Sequence, residues 1–209
     1  MGNQNTTIFL MRHSEPMKVS ALNSNESIQI NNEKKVLSIN GEEKAKTKSN
    51  LEEFENLDKV YSSNYVRAIS TAKYFANSND LDLIVDENLG ERKIGIKSWD
   101  EYPRDFEARQ FADLNFKIGD GESVNEVSQR FYNVLIDIIE TNRGGKVLVV
   151  CHATAIMAFL TRWCDINYGG KFYLKGVEFF DGKWDYLTTL KLTFDKQNKL
   201  IDIIEVKNK

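Results

Sequence analysis

The sequence predicts an α/β protein, a three-layer sandwich with a mostly parallel central sheet flanked by helices. The run KVLVVC at residues 146–151 is continuously apolar, which is typical of a strand buried on both faces of a parallel sheet. Just before it, apolar residues recur at helical spacing between Val124 and Ile138. After it, β-type segments separated by turn residues predict antiparallel strands that close the chain on the α/β core.

Length and charge favour one domain over residues 1–209, because a chain of 209 residues can bury a full core. The formal net charge is −3, and the basic residues form no block, which argues against nucleic acid and membranes as partners. The first apolar run spans only about four residues, too few for a signal peptide or a membrane span. We therefore expect a cytoplasmic protein.

The two histidines and two cysteines limit metal chemistry. Cys151 and His152 are adjacent in an apparent strand, where consecutive side chains point to opposite faces, so a structural zinc site is not expected. Cys151 and Cys164 each lie in an apolar segment and are predicted to be buried free thiols, as is usual in a reducing compartment. We predict neither a metal nor a cofactor.

The first third of the chain is predicted to alternate strands, loops and helices. Four segments are expected before Arg67: a strand at residues 7–11, an Asn- and Glu-rich surface loop at 23–35, a helix at 38–55 and a strand at 58–62. A helix through Arg67, Ala72 and Phe75 follows, and residues 81–85 are a third strand candidate.

Residues 86–121 are predicted to form a cap-like excursion, because their periodicity is poor and aromatic residues are common. One short helix is expected near residues 103–114. Four aromatic side chains of the excursion either line a specificity pocket or belong to the hydrophobic core: Trp99, Tyr102, Phe106 and Phe111.

The clearest helix of the chain begins after this excursion. Ser123 and Glu126 form an S-x-x-E capping box, and Gly144-Gly145 ends the helical pattern. Three β-type segments are predicted in the C-terminal part: 172–180, 186–194 and 200–206.

The two histidines both follow predicted strands, His13 after FLMR and His152 after LVVC. In open α/β sheets, ligands bind beyond the carboxyl ends of the strands, so we expect both imidazoles at one mouth. Arg67 begins the helix after the second strand, near the same edge. Together with Arg12 it offers two guanidinium forks, which suit a phosphate dianion. Glu91 lies in the loop after the third strand segment, on the same edge.

Five short motifs occur in one order, and together they resemble the histidine phosphatase superfamily in its phosphoglycerate mutase-like branch. They are MRHSE at 11–15, SSNYVRAISTA at 62–72, ERKIG at 91–95, GES at 121–123 and CHA at 151–153. Each motif is weak alone, whereas five in order are a strong signal. The resemblance covers roughly residues 8–160.

The resemblance implies phosphoryl transfer through a phosphohistidine without a metal. By this analogy His13 is the nucleophile, and Glu91 protonates the leaving oxygen and then activates water. Arg12, Arg67 and His152 surround the phosphoryl oxygens and stabilise the charge of the transition state.

Three positions depart from the family pattern. Ser14 and Ala153 replace the glycines that follow the two histidines, and both small residues are expected to border the bound phosphate. Val19 stands where close relatives often have a phosphate-contacting Asn, and Ser14, Ser20 or Asn23 are its candidate substitutes.

Three functions remain open from the sequence. A phosphomonoester phosphatase acting on a small phosphorylated metabolite is favoured, because the excursion is short and the tail after His152 has a strand pattern. A phosphoglycerate-type mutase with the same phosphohistidine is second, since ERKIG is close to the mutase version. A non-catalytic phosphate-binding scaffold is third. The expected partner is a small phosphate ester, with a homodimer as an open alternative to a monomer.

Overall fold

A six-stranded sheet forms the centre of the computed structural model, which describes residues 5–18, 26–166 and 170–207. Its strands are β1 (Thr6–Arg12), β2 (Lys59–Ser62), β3 (Leu83–Val85), β4 (Lys146–Cys151), β8 (Thr189–Phe194) and β9 (Leu200–Glu205), in the spatial order β3-β2-β4-β1-β8-β9. The first four strands in this order are parallel, and β8 and β9 are antiparallel. The predicted α/β architecture is thus confirmed.

Helices pack on both faces of this sheet, α3 on one and α5 with α6 on the other. The helices of the described residues are α1 (Ile28–Glu33), α2 (Ile39–Ser49), α3 (Val66–Ser78), α4 (Phe106–Ala112), α5 (Val124–Thr141) and α6 (Ala153–Leu160). A strand alternates its side chains between faces, so β4 feeds two cores. Val147 and Val149 pack with α5 and α6, whereas Leu148 and Val150 pack with α3. Each such buried side chain contributes about 1.5–3 kcal/mol, which fixes the register of the central strands.

The long helix α5 begins as its sequence predicts. The Ser123 hydroxyl accepts from the Glu126 N–H, and the Glu126 carboxylate accepts from the Ser123 N–H, which completes the capping box. These two bonds satisfy backbone donors that the first turn leaves free.

Two expectations about local structure were wrong in part. The predicted loop at 23–35 contains α1, whose N-cap Ser27 accepts from the Ile30 N–H. The predicted helix 38–55 ends at Ser49, and a separate 3-10 turn then places Phe54 in the core. The short apolar pattern after Ser49 did not distinguish a continuing helix from this turn.

The C-terminal strands divide between two sheets instead of forming one meander. Strands β8 and β9 extend the central sheet, while β5 (Cys164–Ile166), β6 (Phe172–Leu174) and β7 (Val177–Phe180) form a small antiparallel sheet. Strand β5 was not predicted, because its three residues are too few to show a pattern. Both Cys151 and Cys164 are buried free thiols, as predicted.

Within the described ranges, no helix combines the length and the apolar character needed to cross a bilayer.

Candidate active site

The carboxyl ends of the parallel strands bring the two histidines together. His13 follows β1 and His152 follows β4, and the His13 N–H donates to the Cys151 carbonyl at 3.0 Å. Because β1 and β4 are adjacent and parallel, the two imidazole centroids lie only 5.1 Å apart. Both side chains are buried, His13 at 5% exposure and His152 at 0%.

The contacts of His13 define its tautomer. Its Nε2 accepts from the Arg67 Nε at 2.9 Å, and a guanidinium can only donate. Its Nδ1 lies 2.7 Å from the Ser14 carbonyl, so Nδ1 carries the proton and donates there. Burial, together with the charges of Arg67 and Arg12, lowers the pKa of His13 well below 6.5. The ring is therefore neutral at pH 7, with its lone pair on Nε2.

His152 lies behind His13 at the N-cap position of α6. Its Nδ1 faces the Arg67 Nη2 at 3.4 Å, and its Nε2 lies 2.8 Å from the Ser63 hydroxyl. Since Arg67 can only donate, Nε2 carries the proton and donates to Ser63. Burial and the neighbouring His13 and Arg67 lower the pKa of His152 well below 6.5. This ring too is neutral.

Arg67 links the two imidazoles. It lies in the first turn of α3, is 5% exposed, and stacks on the Tyr65 ring at 4.7 Å. Besides its bonds to both histidines, its Nη1 donates to the Asn32 carbonyl at 2.5 Å. We call His13, Ser63, Arg67 and His152 the floor of the site. No carboxylate among the described residues forms an ion pair with Arg67, so its charge is available to an anion.

Arg12 is held from the other side by the segment before β8. Its Nη1 donates to the Trp184 carbonyl, and its guanidinium lies 4.5 Å from the centroid of the Tyr186 ring. Lys48, buried and with its pKa lowered to about 8 by desolvation, donates to the Leu187 carbonyl at 2.7 Å and anchors the same segment. The C-terminal part of the chain therefore completes the site.

Glu91 is half-buried and reaches the N-terminus of α6. Its Oε1 accepts from the Arg92 N–H at 2.9 Å and from the Ala155 N–H at 3.1 Å. The second bond satisfies one of the free amides in the first turn of α6, the helix that begins just after His152. The carboxylate is thereby placed beside the second histidine.

An ion pair holds the loop that carries Glu91. Arg130 and Glu122 form two bonds, at 2.7 and 2.9 Å, and Arg130 also donates to the carbonyls of Asn88, Gly90 and Glu91. Glu122 in turn accepts from the Lys93 N–H at 2.9 Å. The pair therefore grips the loop on both sides of Glu91.

Residues 8–177 match the family model of the histidine phosphatase superfamily (branch 1). The chain belongs to this superfamily. Curated relatives include the probable phosphoglycerate mutase GpmB of Escherichia fergusonii, which is 26% identical over 156 residues, covering 71% of this chain and 70% of the relative. The GpmB of Enterobacter sp. is equally similar, with 26% identity over 156 residues.

Solved structures share the histidine phosphatase fold. The native structure of mycobacterial glucosyl-3-phosphoglycerate phosphatase superposes with a TM-score of 0.72 at 15% identity, covering 98% of this chain and 100% of that one. Phosphoserine phosphatase from Entamoeba histolytica, solved as a mutant with phosphoserine, gives a TM-score of 0.65 at 18% identity and covers 95% and 96% of the two chains. These likenesses concern the fold.

In this member of the superfamily, a cavity of about 740 Å³ opens above His13. Arg12, His13, Arg67 and Glu91 line it, so the structure brings four of the predicted site residues to one cavity. His152 does not line the cavity and contacts it through Arg67. The volume far exceeds a phosphate group and accommodates a metabolite-sized ester.

The excursion at residues 86–121 supplies more than half of the residues that line the cavity. Trp99 and Tyr102 are among them, as one of the two sequence readings expected. Phe106 and Phe111 are not: Phe106 is 1% exposed and packs beneath the Arg92 guanidinium at 4.6 Å. We call Lys35, Lys93, Lys97, Trp99 and Tyr102 the rim of the cavity.

Two predicted phosphate contacts lie elsewhere. Ser14 is fully buried, its N–H donates to the Thr71 hydroxyl at 2.9 Å, and its own hydroxyl donates to the Gly41 carbonyl at 2.7 Å. Its groups are thus engaged behind His13, where its carbonyl orients the ring. Ala153 does not line the cavity, whereas its neighbour Thr154 does.

Other residues of the site were missed by the sequence analysis, and some of its candidates are not described. Ser63 is the second residue of the SSNYVRAISTA motif and was not singled out, although its spacing from Arg67 was a usable signal. Arg130 and the Trp184 carbonyl carried no local signal. Val19, Ser20 and Asn23 lie outside the described residues.

Proposed function

We propose that this protein is a metal-independent phosphomonoester phosphatase that acts through a phosphohistidine at His13 on a small phosphorylated metabolite. The observation that carries the proposal is the neutral His13 ring, whose Nε2 lone pair accepts from Arg67 at the cavity that Arg12 also lines. A neutral imidazole held in one tautomer is the form that attacks phosphorus.

In the first step, His13 Nε2 attacks the phosphorus and the bond from phosphorus to the ester oxygen breaks. Arg67 leaves Nε2 and donates to the phosphoryl oxygens, joined by Arg12. Two guanidinium groups can each donate two hydrogen bonds to the phosphoryl oxygens, over which the negative charge is distributed in the transition state. No step therefore requires a metal. His152, linked to Arg67, positions the guanidinium and stabilises the same charge.

Glu91 handles the protons. As an acid it gives a proton to the departing ester oxygen, and the alcohol product leaves. As a base it then removes a proton from a water molecule, which attacks the phosphorus and breaks the bond to Nε2. Inorganic phosphate is released, His13 returns to its neutral state, and Glu91 regains the proton that it gave to the ester oxygen.

A mutase is the second candidate, because two curated relatives are named probable phosphoglycerate mutases. A mutase would return the phosphoryl group from His13 to the second oxygen of the same substrate instead of passing it to water. The phosphatase is preferred since the fold matches those of phosphatases over nearly the whole chain and Glu91 lines the same open cavity as His13. We further propose a small phosphate ester as partner, a cytoplasmic location and either a monomer or a homodimer.

One assay set tests these alternatives. Hydrolysis of an aryl phosphate in the presence of a chelator, and isomerisation of 3-phosphoglycerate, are measured for the wild type and for His13→Ala. Chelator-resistant hydrolysis that is lost in His13→Ala, together with an acid-labile, base-stable phosphoenzyme in the wild type, supports the phosphatase. Fast isomerisation with negligible hydrolysis favours the mutase, and absence of both activities favours a phosphate-binding scaffold.

A further inference from the structure

Thr71 has a hydroxyl that the proposed phosphoryl transfer leaves without a role. The residue lies one turn after Arg67 in α3 and is fully buried. Its hydroxyl donates to the Arg67 carbonyl at 2.7 Å, a bond that threonines in helices commonly make with the preceding turn. The same hydroxyl accepts from the Ser14 N–H at 2.9 Å, in the loop that follows β1 and carries His13. This second contact is not local, because it links positions 57 apart.

These contacts belong to a closed ring of four hydrogen bonds around the His13 imidazole. His13 Nδ1 donates to the Ser14 carbonyl at 2.7 Å, and Arg67 Nε donates to His13 Nε2 at 2.9 Å. The two bonds of Thr71 connect the Ser14 peptide with the Arg67 backbone and complete the ring. One side chain therefore holds the partners of both imidazole nitrogens relative to each other.

Helix α2 anchors the Ser14 side of this ring. The Ser14 hydroxyl donates to the Gly41 carbonyl at 2.7 Å, and the Ser38 N–H donates to the Glu15 carbonyl at 3.0 Å. The two segments approach so closely that a Cβ on Gly41 would lie 2.1 Å from the Glu15 carbonyl oxygen. Helix α2 thus holds the loop after His13, and Thr71 joins that loop to α3.

The Ser14 carbonyl matters most when a substrate is bound. In the proposed first step Arg67 leaves His13 Nε2 for the phosphoryl oxygens, so the Ser14 carbonyl becomes the partner that keeps the proton on Nδ1. As Nε2 attacks, the ring gains positive charge, and its bond to this carbonyl strengthens. Interactions that strengthen in the transition state accelerate the reaction, so the position of this carbonyl affects the rate.

Loss of the Thr71 hydroxyl would disturb that position. It would leave the Ser14 N–H without its acceptor, and buried N–H groups in native structures are nearly always paired. The Ser14 peptide would move toward another partner, and the Arg67 backbone would lose its link to the loop. An error of about 1 Å in an attacking group costs on the order of 10²-fold in rate.

We propose that Thr71 is a positioning residue for the phosphoryl transfer: its hydroxyl ties the Ser14 peptide to the Arg67 backbone and keeps the His13 lone pair on Nε2 while Arg67 binds the phosphoryl group. Thr71 contacts neither the substrate nor the reacting atoms, since it is fully buried and does not line the cavity. The inference rests on the proposed function in that it concerns the same nucleophile.

Three variants separate the hydroxyl from the packing of its side chain. Thr71→Val has nearly the same shape without the hydroxyl, and its kcat/KM for an aryl phosphate is expected to fall by on the order of 10- to 100-fold. Thr71→Ser keeps both hydrogen bonds and should remain within about threefold of the wild type. Thr161→Val is the matched control, because the Thr161 hydroxyl donates to the Ala158 carbonyl at 2.7 Å and the residue does not line the cavity. Its kcat/KM should be unchanged.

Histidine NMR supplies a readout that lost stability alone does not produce, because the chain has only two histidines. The Arg67→Met background imitates the bound state, since His13 Nε2 has then lost the arginine donor. At pH 8, His13 should keep its proton on Nδ1 in this background and share it between both nitrogens once Thr71→Val is added. The signals of the two ring nitrogens, measured with isotope-labelled histidine, report this change. The His152 signals should be the same in both proteins.

Three results would overturn the proposal. The first is a kcat/KM of Thr71→Val within about threefold of the wild type. The second is a lower kcat/KM with an unchanged His13 tautomer, because reduced stability would then explain the loss. The third is an equal loss in Thr71→Ser, which keeps the hydroxyl. If Thr71→Val does not fold, Thr71→Cys replaces it, because a thiol of similar size is a weak acceptor, and both readouts must then change in the same direction.

The kinetic measurement rests on the proposed function, whereas the NMR measurement requires neither a ligand nor turnover. If the wild type hydrolyses no phosphate ester, the phosphatase is refuted, and NMR alone decides whether Thr71 positions the His13 ring. If the wild type hydrolyses an aryl phosphate and Thr71→Val keeps both the rate and the His13 tautomer, the positioning role is refuted and the phosphatase remains.

Discussion

The floor and the rim of the cavity are built on opposite principles. On the floor, Arg67, His13, His152 and Ser63 are nearly inaccessible to solvent, and hydrogen bonds link them into one chain. On the rim, Trp99 is 51% exposed, and the three lysines form no ion pair with a carboxylate of the described residues. The floor lies at the carboxyl ends of the parallel strands, whereas most of the rim belongs to the excursion at 86–121. Regular elements thus hold the buried polar groups, and a segment with little regular structure lines most of the cavity.

Arg67→Met is the strongest test of this contrast. The variant removes the donor to His13 Nε2, the donor to His152 and a proposed phosphate ligand at once. We expect kcat/KM for an aryl phosphate to fall by on the order of 10²- to 10³-fold, as for the loss of one preorganised donor to a transition state. Steady-state kinetics measure it, with Arg109→Met as the control, because Arg109 is exposed, pairs with Asp105 and does not line the cavity. A loss below tenfold would mean that the floor does not act as a unit.

The ion pair between Arg130 and Glu122 holds the Glu91 loop, which connects the floor to the rim. Removing this pair tests whether the position of Glu91 affects the rate without affecting substrate binding. Arg130→Met leaves Glu91 in the chain but frees the carbonyls of residues 88, 90 and 91. We expect kcat to fall by roughly 10- to 100-fold with little change in KM, because an acid displaced by about 1 Å loses this much. Arg130→Lys should restore part of the rate.

Arg162→Met is the matched control for Arg130→Met. Arg162 donates to Ser128 and Gln129, which lie on α5 beside Arg130, and it makes no hydrogen bond to the Glu91 loop. Its kcat should stay at the wild-type level. If kcat falls equally in both variants and in proportion to their melting temperatures, Arg130 stabilises the fold and does not position Glu91.

Acid should destabilise the protein through the two buried histidines of the floor. Burial lowers the folded-state pKa of both histidines well below 6.5, so the unfolded chain binds protons first as the pH falls. The free energy of unfolding is therefore highest above about pH 6.5 and decreases below it, by up to about 1.4 kcal/mol per pH unit for each histidine. Urea unfolding between pH 5 and pH 7.5 measures the slope.

His152→Gln should lower this slope by about half, since the chain has only two histidines. An identical slope in the variant would show that the buried imidazoles are not the groups that titrate.

The smallest effect is expected at the rim itself. Trp99→Leu removes a half-exposed ring, so the free energy of unfolding should change by less than about 0.5 kcal/mol. The kcat for an aryl phosphate should remain within about threefold, while KM changes in either direction. A tenfold loss of kcat would place Trp99 in the catalytic arrangement and blur the division between the two regions.

The sequence indicated the candidate site residues better than the contacts that hold them. Arg12, His13, Arg67, Glu91 and His152 were singled out because each lies at a strand or helix end within a short motif, and the structure brings them close together. Their supports depend on contacts between distant segments: the Arg12 bond to the Trp184 carbonyl joins residues 172 positions apart. Every residue has a backbone carbonyl, so no sequence pattern indicates which carbonyl accepts a hydrogen bond from Arg12.

Ser14 illustrates a second limit of sequence reasoning. A serine beside a nucleophile suggests a phosphate contact, yet the approach of α2 gives its hydroxyl the Gly41 carbonyl as acceptor. Such choices between two partners depend on tertiary packing. The three-residue strand β5 and the six-residue helix α1 were missed for a different reason, since neither is long enough to establish a period.

The position of β1 has a consequence for how this protein folds. Thr7 of this strand pairs with Lys146 on one side and with Thr193 on the other, so β1 lies between two strands that come much later in the chain. Its apolar residues are covered only when both later strands are present, and pairings this distant in sequence are slow to form. A chain truncated before β4 therefore carries His13 without its second histidine and without the strands that flank it.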